Sequence, residues 1–286
     1  MKKKVLILGV SGMLGSTLSL TLIKNFKIYA VYNKQKVNFL NDKIQYEFKD
    51  SRNVSEIIFN IKPNFIINCL GLIPQNISSY DKGKMLYVNG KLPHEIANNI
   101  KGMETQFIQI STDCVFNGSH GNRLETDKPD NNELYGISKT NGEIIDKYNL
   151  TIRTSIIGHE IKRKKSFLEW FLNNDQKRVE GYKNAYFSGL TTLEFSNIIA
   201  SYMLANTKYF GLYHVSGPKI NKYDLLKIIG KTYQKNIIIK ENLIFNIDRS
   251  LNSQKAITEG LYKQKSWSLM ILEQSKFYKK YISIFK

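Results

Sequence analysis

Val5-Leu6-Ile7-Leu8 runs without a break into Gly9-Val10-Ser11-Gly12-Met13-Leu14-Gly15, and Leu14–Lys24 then continues with apolar residues at helical spacing. An apolar run of strand length, a glycine-rich turn and a helix form the opening of a dinucleotide-binding unit. Glycines allow the tight turn and let backbone approach a pyrophosphate, whose charge then meets the positive end of the helix dipole. The spacing is GxxGxxG where the usual fingerprint is GxGxxG, so the reading rests as much on the position between strand and helix as on the glycines. Gly9, Ser11, Gly12, Met13, Leu14 and Gly15 are the expected cofactor contacts of this turn.

Outward from this stretch the pattern repeats. Apolar runs at Ile28–Tyr32, Phe65–Cys69, Phe107–Ser111, Leu150–Arg153 and Leu212–Val215 alternate with helical segments at Val54–Asn60, Met85–Asn99 and Tyr135–Tyr148. The runs are continuously apolar, which means that both faces of the sheet are covered. The expected class is α/β, a Rossmann-type doubly wound parallel sheet with a smaller C-terminal substrate lobe. Residues 1-155 are assigned to the dinucleotide-binding domain, with 190-217 returning to its sheet. Residues 156-189 and 218-286 are assigned to the lobe. The texture changes after Arg153: Ile161–Lys165 is basic, Phe167–Leu172 is aromatic and helix-like, and the last third is rich in Lys, Tyr and Ile.

Composition narrows the function classes. A chain of 286 residues can bury a substantial core, and no stretch of about 18 uncharged apolar residues interrupts it, so no membrane span is expected. The basic start, Met1-Lys2-Lys3-Lys4, precedes an apolar run too short for a secretion signal, so a cytoplasmic location is expected. Cys69 and Cys114 have no CxxC spacing and read as reduced packing residues. His94, His120, His159 and His214 lack metal-ligand spacing, so no metal site is expected. The net charge of +18 suggests nucleic acid, yet only six of the 42 basic residues are Arg (Arg52, Arg123, Arg153, Arg163, Arg178 and Arg249) and the lysines are dispersed. Base readout leans on Arg within a defined recognition element, and none is visible. Attraction of an anionic nucleotide is the better use of the field.

The reactive constellation is Tyr135-Gly-Ile-Ser-Lys139, which opens a helical segment. At i and i+4 the phenol and ammonium share a helical face, so Lys139 is expected to lower the phenol's pKa and Tyr135 to protonate a carbonyl under reduction. Ser111-Thr112-Asp113 closes a strand at its C-terminal end, where parallel sheets place ligands, and a hydroxyl there can donate to the same carbonyl. The second strand ends at Asn33-Lys34-Gln35-Lys36 instead of at Asp or Glu. A ribose 2′-phosphate would meet cations there, so NADPH is the expected cofactor and NADH the alternative. The competing reading makes these lysines two more members of a solvated loop.

In that order, the glycine turn, the Ser-Thr-Asp strand end and the YxxxK helix resemble the extended short-chain dehydrogenase/reductase superfamily. The stretches Ile110-Ser-Thr-Asp-Cys-Val-Phe-Asn-Gly118 and Tyr135-Gly-Ile-Ser-Lys139-Thr-Asn-Gly-Glu143, with Gly211-Leu-Tyr-His-Val-Ser-Gly217 and Tyr223-Asp-Leu-Leu, more narrowly resemble the dTDP-4-dehydrorhamnose reductase family. The resemblance implies that Thr112, Tyr135 and Lys139 are catalytic, that Tyr135 and Lys139 also contact the cofactor, with Lys139 holding its ribose, that Asp113, Phe116 and Arg249 lie on the substrate side, and that Arg249 meets a diphosphate. It implies cofactor contacts at Asp50, Ser51, Leu70 and Gly71, with Asp50 alternatively a strand-end cap, and a supporting or packing role for Asn89. Cys114 stands where the family frequently has Tyr. The implied substrate is a nucleotide-diphosphate 4-keto-6-deoxy sugar, dTDP- or UDP-linked, in deoxysugar synthesis for surface polysaccharide, and a homodimer is the assembly allowed for. An epimerase of the same superfamily or a non-catalytic NADP-binding regulatory subunit are the alternatives. A dehydratase is disfavoured because Asp113 is followed by Cys114 where a Glu would be needed.

Overall fold

A computed structural model describes residues 1–33, 36–74, 81–161, 165–174, 178–205 and 209–285. The first half alternates strand and helix: β1 (Lys4–Leu8), α1 (Met13–Leu22), β2 (Lys27–Tyr32), β3 (Gln45–Glu47), α2 (Ser51–Ile61) and β4 (Phe65–Asn68). A long helix follows as α3 (Lys82–Leu86), one wider π turn at Tyr87–Lys91, and α4 (Leu92–Asn99). After it come β5 (Gln106–Thr112), α5 (Leu134–Thr140), β6 (Leu150–Thr154), β7 (Ile156–Ile157), α6 (Phe167–Leu172), β8 (Arg178–Phe187), β9 (Leu190–Thr191), α7 (Thr192–Leu204) and β10 (Gly211–His214). The chain closes with β11 (Ile220–Asn221), α8 (Lys222–Thr232), β12 (Ile238–Asp248), α9 (Gln254–Thr258), α10 (Trp267–Lys280) and α11 (Ile282–Phe285).

Seven strands form the central parallel sheet in the order β10-β6-β5-β4-β1-β2-β3. The order reverses between β1 and β4, which opens a crevice at the strands' C-terminal ends. Along β1, Val5 and Ile7 enter one hydrophobic core while Leu6 and Leu8 enter the other. This is why the strand must be apolar at every position: α1 and α7 cover the first face, α2 and α4 the second. Each such fully buried side chain contributes about 1.5–3 kcal/mol. A second, three-stranded sheet in the order β11-β8-β12 mixes an antiparallel and a parallel pair, with a register break between Asn242 and Asn246. Among the described residues no helix is long and apolar enough to cross a membrane.

The helix expected over Tyr135–Tyr148 ends at Thr140. A Cβ at Gly142 would overlap the Asn89 carbonyl oxygen, so the backbone turns aside there to pass the π turn. Glu143 then drops into the interior. Arg153 on β6 donates from Nε and Nη2 to its two carboxylate oxygens, both at 2.7 Å, and the Ser111 hydroxyl donates to Oε1 at 2.7 Å. The pair is buried, with side-chain exposures of 2% and 3%, and it ties the end of α5 to two sheet strands. Satisfied on every side, it is stable as a unit, while loss of one partner strands the other charge. Glu143→Leu is expected to lower stability by about 3–5 kcal/mol in urea unfolding, and adding Arg153→Met should recover most of that loss. A single variant that unfolds like the parent would show that the pair does not tether α5.

Candidate active site

The glycine turn begins with Gly9 at φ +86°, a conformation that favours glycine. Its amide donates to the Val31 carbonyl at 2.8 Å, and Gly12 donates back to the Gly9 carbonyl at 3.1 Å. A Cβ at Gly15 would overlap that same carbonyl, so α1 can seat on the turn only through glycine. Gly12 caps α1 with no side-chain hydrogen bond, which leaves the first amides of the helix without a side-chain acceptor. Ser11 and Met13 are half-buried at the turn, whereas Leu14 is in the core. The β4 exit packs on the same turn: a Cβ on Gly9 would lie 3.1 Å from the Cys69 and Leu70 backbone. Gly71 is exposed just beyond.

Asn89 occupies the π turn and organises the next layer. Its side-chain carbonyl accepts from the Leu72 amide at 2.8 Å, and its amide donates to the Leu72 carbonyl at 2.8 Å and to the Ser138 hydroxyl at 3.0 Å. One side chain therefore joins the β4 exit loop to α5. The widened turn gives Asn89 this reach, and such turns recur at functional sites.

Thr112, Asp113, Cys114, Tyr135 and Arg249 come together at the C-terminal end of β5. The Thr112 hydroxyl donates to Asp113 Oδ1 at 3.1 Å and accepts from the Cys114 amide at 3.1 Å, so it starts the turn as well as facing Tyr135. Lys139, buried behind them, donates to the Ile110 carbonyl at 2.7 Å and lies beside Glu143 and Cys69. Burial, with the Cys114 thiol and Asp113 close by, holds the Tyr135 phenol above its ordinary range, while Thr112 pulls it down. The expected lowering of the phenol by Lys139 is thus not what the structure shows. The ammonium is turned to the Ile110 carbonyl, and desolvation of the phenol dominates. The same desolvation pushes Lys139 down to about 8, and Asp113 is raised by burial.

The remaining expected contacts are placed as follows. Phe116, expected on the substrate side, is fully buried, with the Arg123 and Arg153 guanidinium groups 4.8 and 5.2 Å from its ring centroid. It is a packing residue: the ring is fully buried and is taken up by the two guanidinium groups and a T-shaped contact with His214. Asp50 caps α2, accepting from the Asn53 amide at 2.8 Å, and Ser51 is the first residue of that helix. Asn33 is exposed at the end of β2, and Lys34 lies outside the described residues. Lys36 is 3.4 Å from Asp42 in an exposed pair. No group of three or more His, Cys, Asp or Glu among the described residues is placed to hold a metal. Sequence reading passed over Lys222, the first residue of α8, whose ammonium reaches the Asp113 and Cys114 neighbourhood. Its only signal in the sequence was a lysine opening a helix, the wrong sign for that end.

The family model described as RmlD substrate binding domain matches residues 2–256. The chain belongs to that family. Among curated relatives, a dTDP-4-dehydrorhamnose reductase of Aggregatibacter actinomycetemcomitans is 25% identical over 233 residues, 77% of this chain and 76% of that protein. A probable low-salt glycan biosynthesis reductase of Haloferax volcanii is 29% identical over 139 residues, 48% of this chain and 46% of its own length. The chain thus spans about half the length of that relative. Among solved structures, a hypothetical dTDP-4-dehydrorhamnose reductase of Sulfolobus tokodaii is 26% identical with a TM-score of 0.77, covering 93% of this chain and 98% of that one. The dTDP-4-dehydrorhamnose reductase of Bacillus anthracis, solved with NADP, has a TM-score of 0.79 at 19% identity, covering 97% and 100%. The Rossmann-type parallel sheet expected from the sequence is the fold these proteins share with it.

Lys139 also sets a stability test. Its folded pKa of about 8 lies below the ordinary 10.5, so burying its charge is fully unfavourable below about 8 and ceases to matter above 10.5. Lys139→Met is expected to be more stable than the parent at about pH 7, with the gain shrinking as pH rises through that window. A gain that stays constant up to high pH, in urea titrations, would mean that the lysine is not held against its charge.

Proposed function

We propose that this chain is an NAD(P)H-dependent reductase of a nucleotide-diphosphate 4-keto-6-deoxy sugar, dTDP- or UDP-linked, acting in deoxysugar synthesis for surface polysaccharide. The observation that carries the reading is the convergence of Thr112 and Tyr135 at the β5 end with Lys139, whose neighbour Cys69 lies on the glycine turn. The cradle fits the cofactor: the amides at the start of α1 are uncapped, and the Gly9 and Gly15 positions admit no side chain. Gly9, Ser11, Gly12, Met13, Gly15, Leu70 and Gly71 would hold it, and when bound it would supply the hydride.

The residues divide the remaining work. Burial keeps the Tyr135 phenol protonated at neutral pH, so it serves as the acid in the reducing direction and releases its proton only to an oxygen gaining charge. Thr112 orients that oxygen. Lys139 remains an ammonium up to about pH 8, held on the Ile110 carbonyl behind Thr112 and Tyr135. We assign residues 156-189 and 218-286, which include the second sheet, to the sugar side, with Arg249 meeting the diphosphate.

Incubation with a panel of nucleotide 4-keto sugars, following the absorbance of the reduced cofactor, tests the reading. Oxidation of the cofactor with one or more of them is expected, and sugar interconversion without net oxidation would point to an epimerase. Tyr135→Phe should keep cofactor binding and lose about a hundredfold to ten-thousandfold in turnover, with a smaller loss for Thr112→Val. Near-parental turnover in Tyr135→Phe would remove it as the acid.

Cofactor choice follows from the end of β2, where Asn33 stands in place of a carboxylate. NADPH is expected over NADH by about tenfold in kcat/KM, ~1.4 kcal/mol, measured at physiological salt. Equal constants would mean that no cation meets the 2′-phosphate.

A further inference from the structure

Two cations beside the proposed acid share a single carboxylate, that of Asp113. Lys222 opens α8, at the helix end where a positive side chain is disfavoured. Its Nζ is held by aromatic faces, 3.7 Å from the Phe187 centroid and 4.5 Å from that of Phe167. Ring faces attract an ammonium without accepting its hydrogen bonds in the way an oxygen does, so its donors remain available. Arg249 follows β12; its Nη1 is 3.5 Å from the Cys114 sulfur, a weak acceptor, and its buried Nε has no hydrogen-bond partner. An unsatisfied buried guanidinium N–H is costly unless something fills it.

The acidic group within their field is Asp113, whose Oδ1 is already engaged by Thr112 at 3.1 Å. Neighbouring charges are otherwise spoken for: Lys219 pairs with Asp248. Burial also pushes Lys222 down to about 8, with Asp113 and Cys114 acting to keep it charged and Arg249 opposing. A bound anion would reverse that burden.

We propose that Lys222 and Arg249 form an oxyanion clamp beside Thr112 and Tyr135 that receives a phosphate or carboxylate oxygen of the substrate. The proposal rests on the nucleotide-sugar reading and deepens it, because it makes Lys222 a substrate-binding residue. The oxyanion has two sources in such a substrate: the diphosphate, or an acidic group on the sugar ring. A diphosphate source makes the clamp a general anchor for nucleotide sugars. An acidic sugar makes it the feature that selects the substrate.

Calorimetric titration with dTDP, UDP, UDP-glucose and UDP-glucuronate separates these cases in the parent, Lys222→Gln and Lys222→Arg, with thermal unfolding and NADPH binding as controls for folding. With the diphosphate as source, Lys222→Gln weakens all four by about tenfold and Lys222→Arg largely restores them. With an acidic sugar as source, only the glucuronate is weakened. Unchanged affinities for all four in a folded Lys222→Gln overturn the clamp. Should that variant not fold, Lys222→Arg decides: affinity in the parent should fall as pH rises through about 8 and the fall should shrink in Lys222→Arg, whose charge persists, and an equal fall in both or a flat parent profile overturns the proposal. If the parent binds NADPH but none of the four nucleotides, the nucleotide-sugar reading fails by itself. Inorganic pyrophosphate then tests the clamp alone: binding that Lys222→Gln abolishes keeps it, and no binding ends it.

Discussion

The close approach of α1 to the end of β1 is the contact on which the rest of the molecule depends. The Gly9 carbonyl lies where a Cβ of residue 15 would have to be, and the Gly9 α-carbon faces the Cys69 and Leu70 backbone. With those two glycines the helix settles onto the strand end. Leu18 and Leu22 then reach the core they share with Phe195 and Ile198 of α7, and the β4 exit loop closes over the turn. Any larger side chain would lift the helix away from the sheet and open the crevice at the reversal of strand order.

From that crevice, successive side-chain contacts pass the geometry to the reactive residues. Asn89 joins the β4 exit to α5 through Leu72 and Ser138, and Glu143 anchors the far end of α5 to β5 and β6. A seven-residue helix has little stability of its own, so tertiary ties at both ends hold Tyr135 and Lys139 in place.

The buried charges divide into two kinds. Arg153 is fully matched by Glu143, while Arg123 pairs with Asp130 through Nη2 and leaves its buried Nε without a partner. Lys139 and Lys222 are instead pushed down to about 8, and Arg249 keeps an orphan donor. Matched charges hold a fold together, whereas unmatched ones gathered at one strand end are the kind of arrangement that the proposed clamp draws on.

Six strands of the central sheet were legible because burial on both faces makes each a mostly apolar run, a signal local in the chain; the edge strand β3, Gln45–Glu47, is buried only at Gln45 and gave no such run. The order of glycine turn, Ser-Thr-Asp and YxxxK was legible for the same reason, since a turn, a strand end and a helix face are defined by residues close in sequence. The second sheet was not, because β12 is largely solvent-exposed and broken between Asn242 and Asn246, so its pattern follows no clean period. A capping role for Asp50 was already open to the sequence, whereas tertiary structure alone decided that α5 stops at Thr140 and that Phe116 is buried against two guanidinium groups. It alone turned Lys139 toward a carbonyl and brought Lys222 and Arg249 to Cys114 and Asp113. The type of each residue and its local geometry are written in the sequence, but desolvation and pairing depend on neighbours dozens of residues away, and those are assigned only when the chain closes on itself.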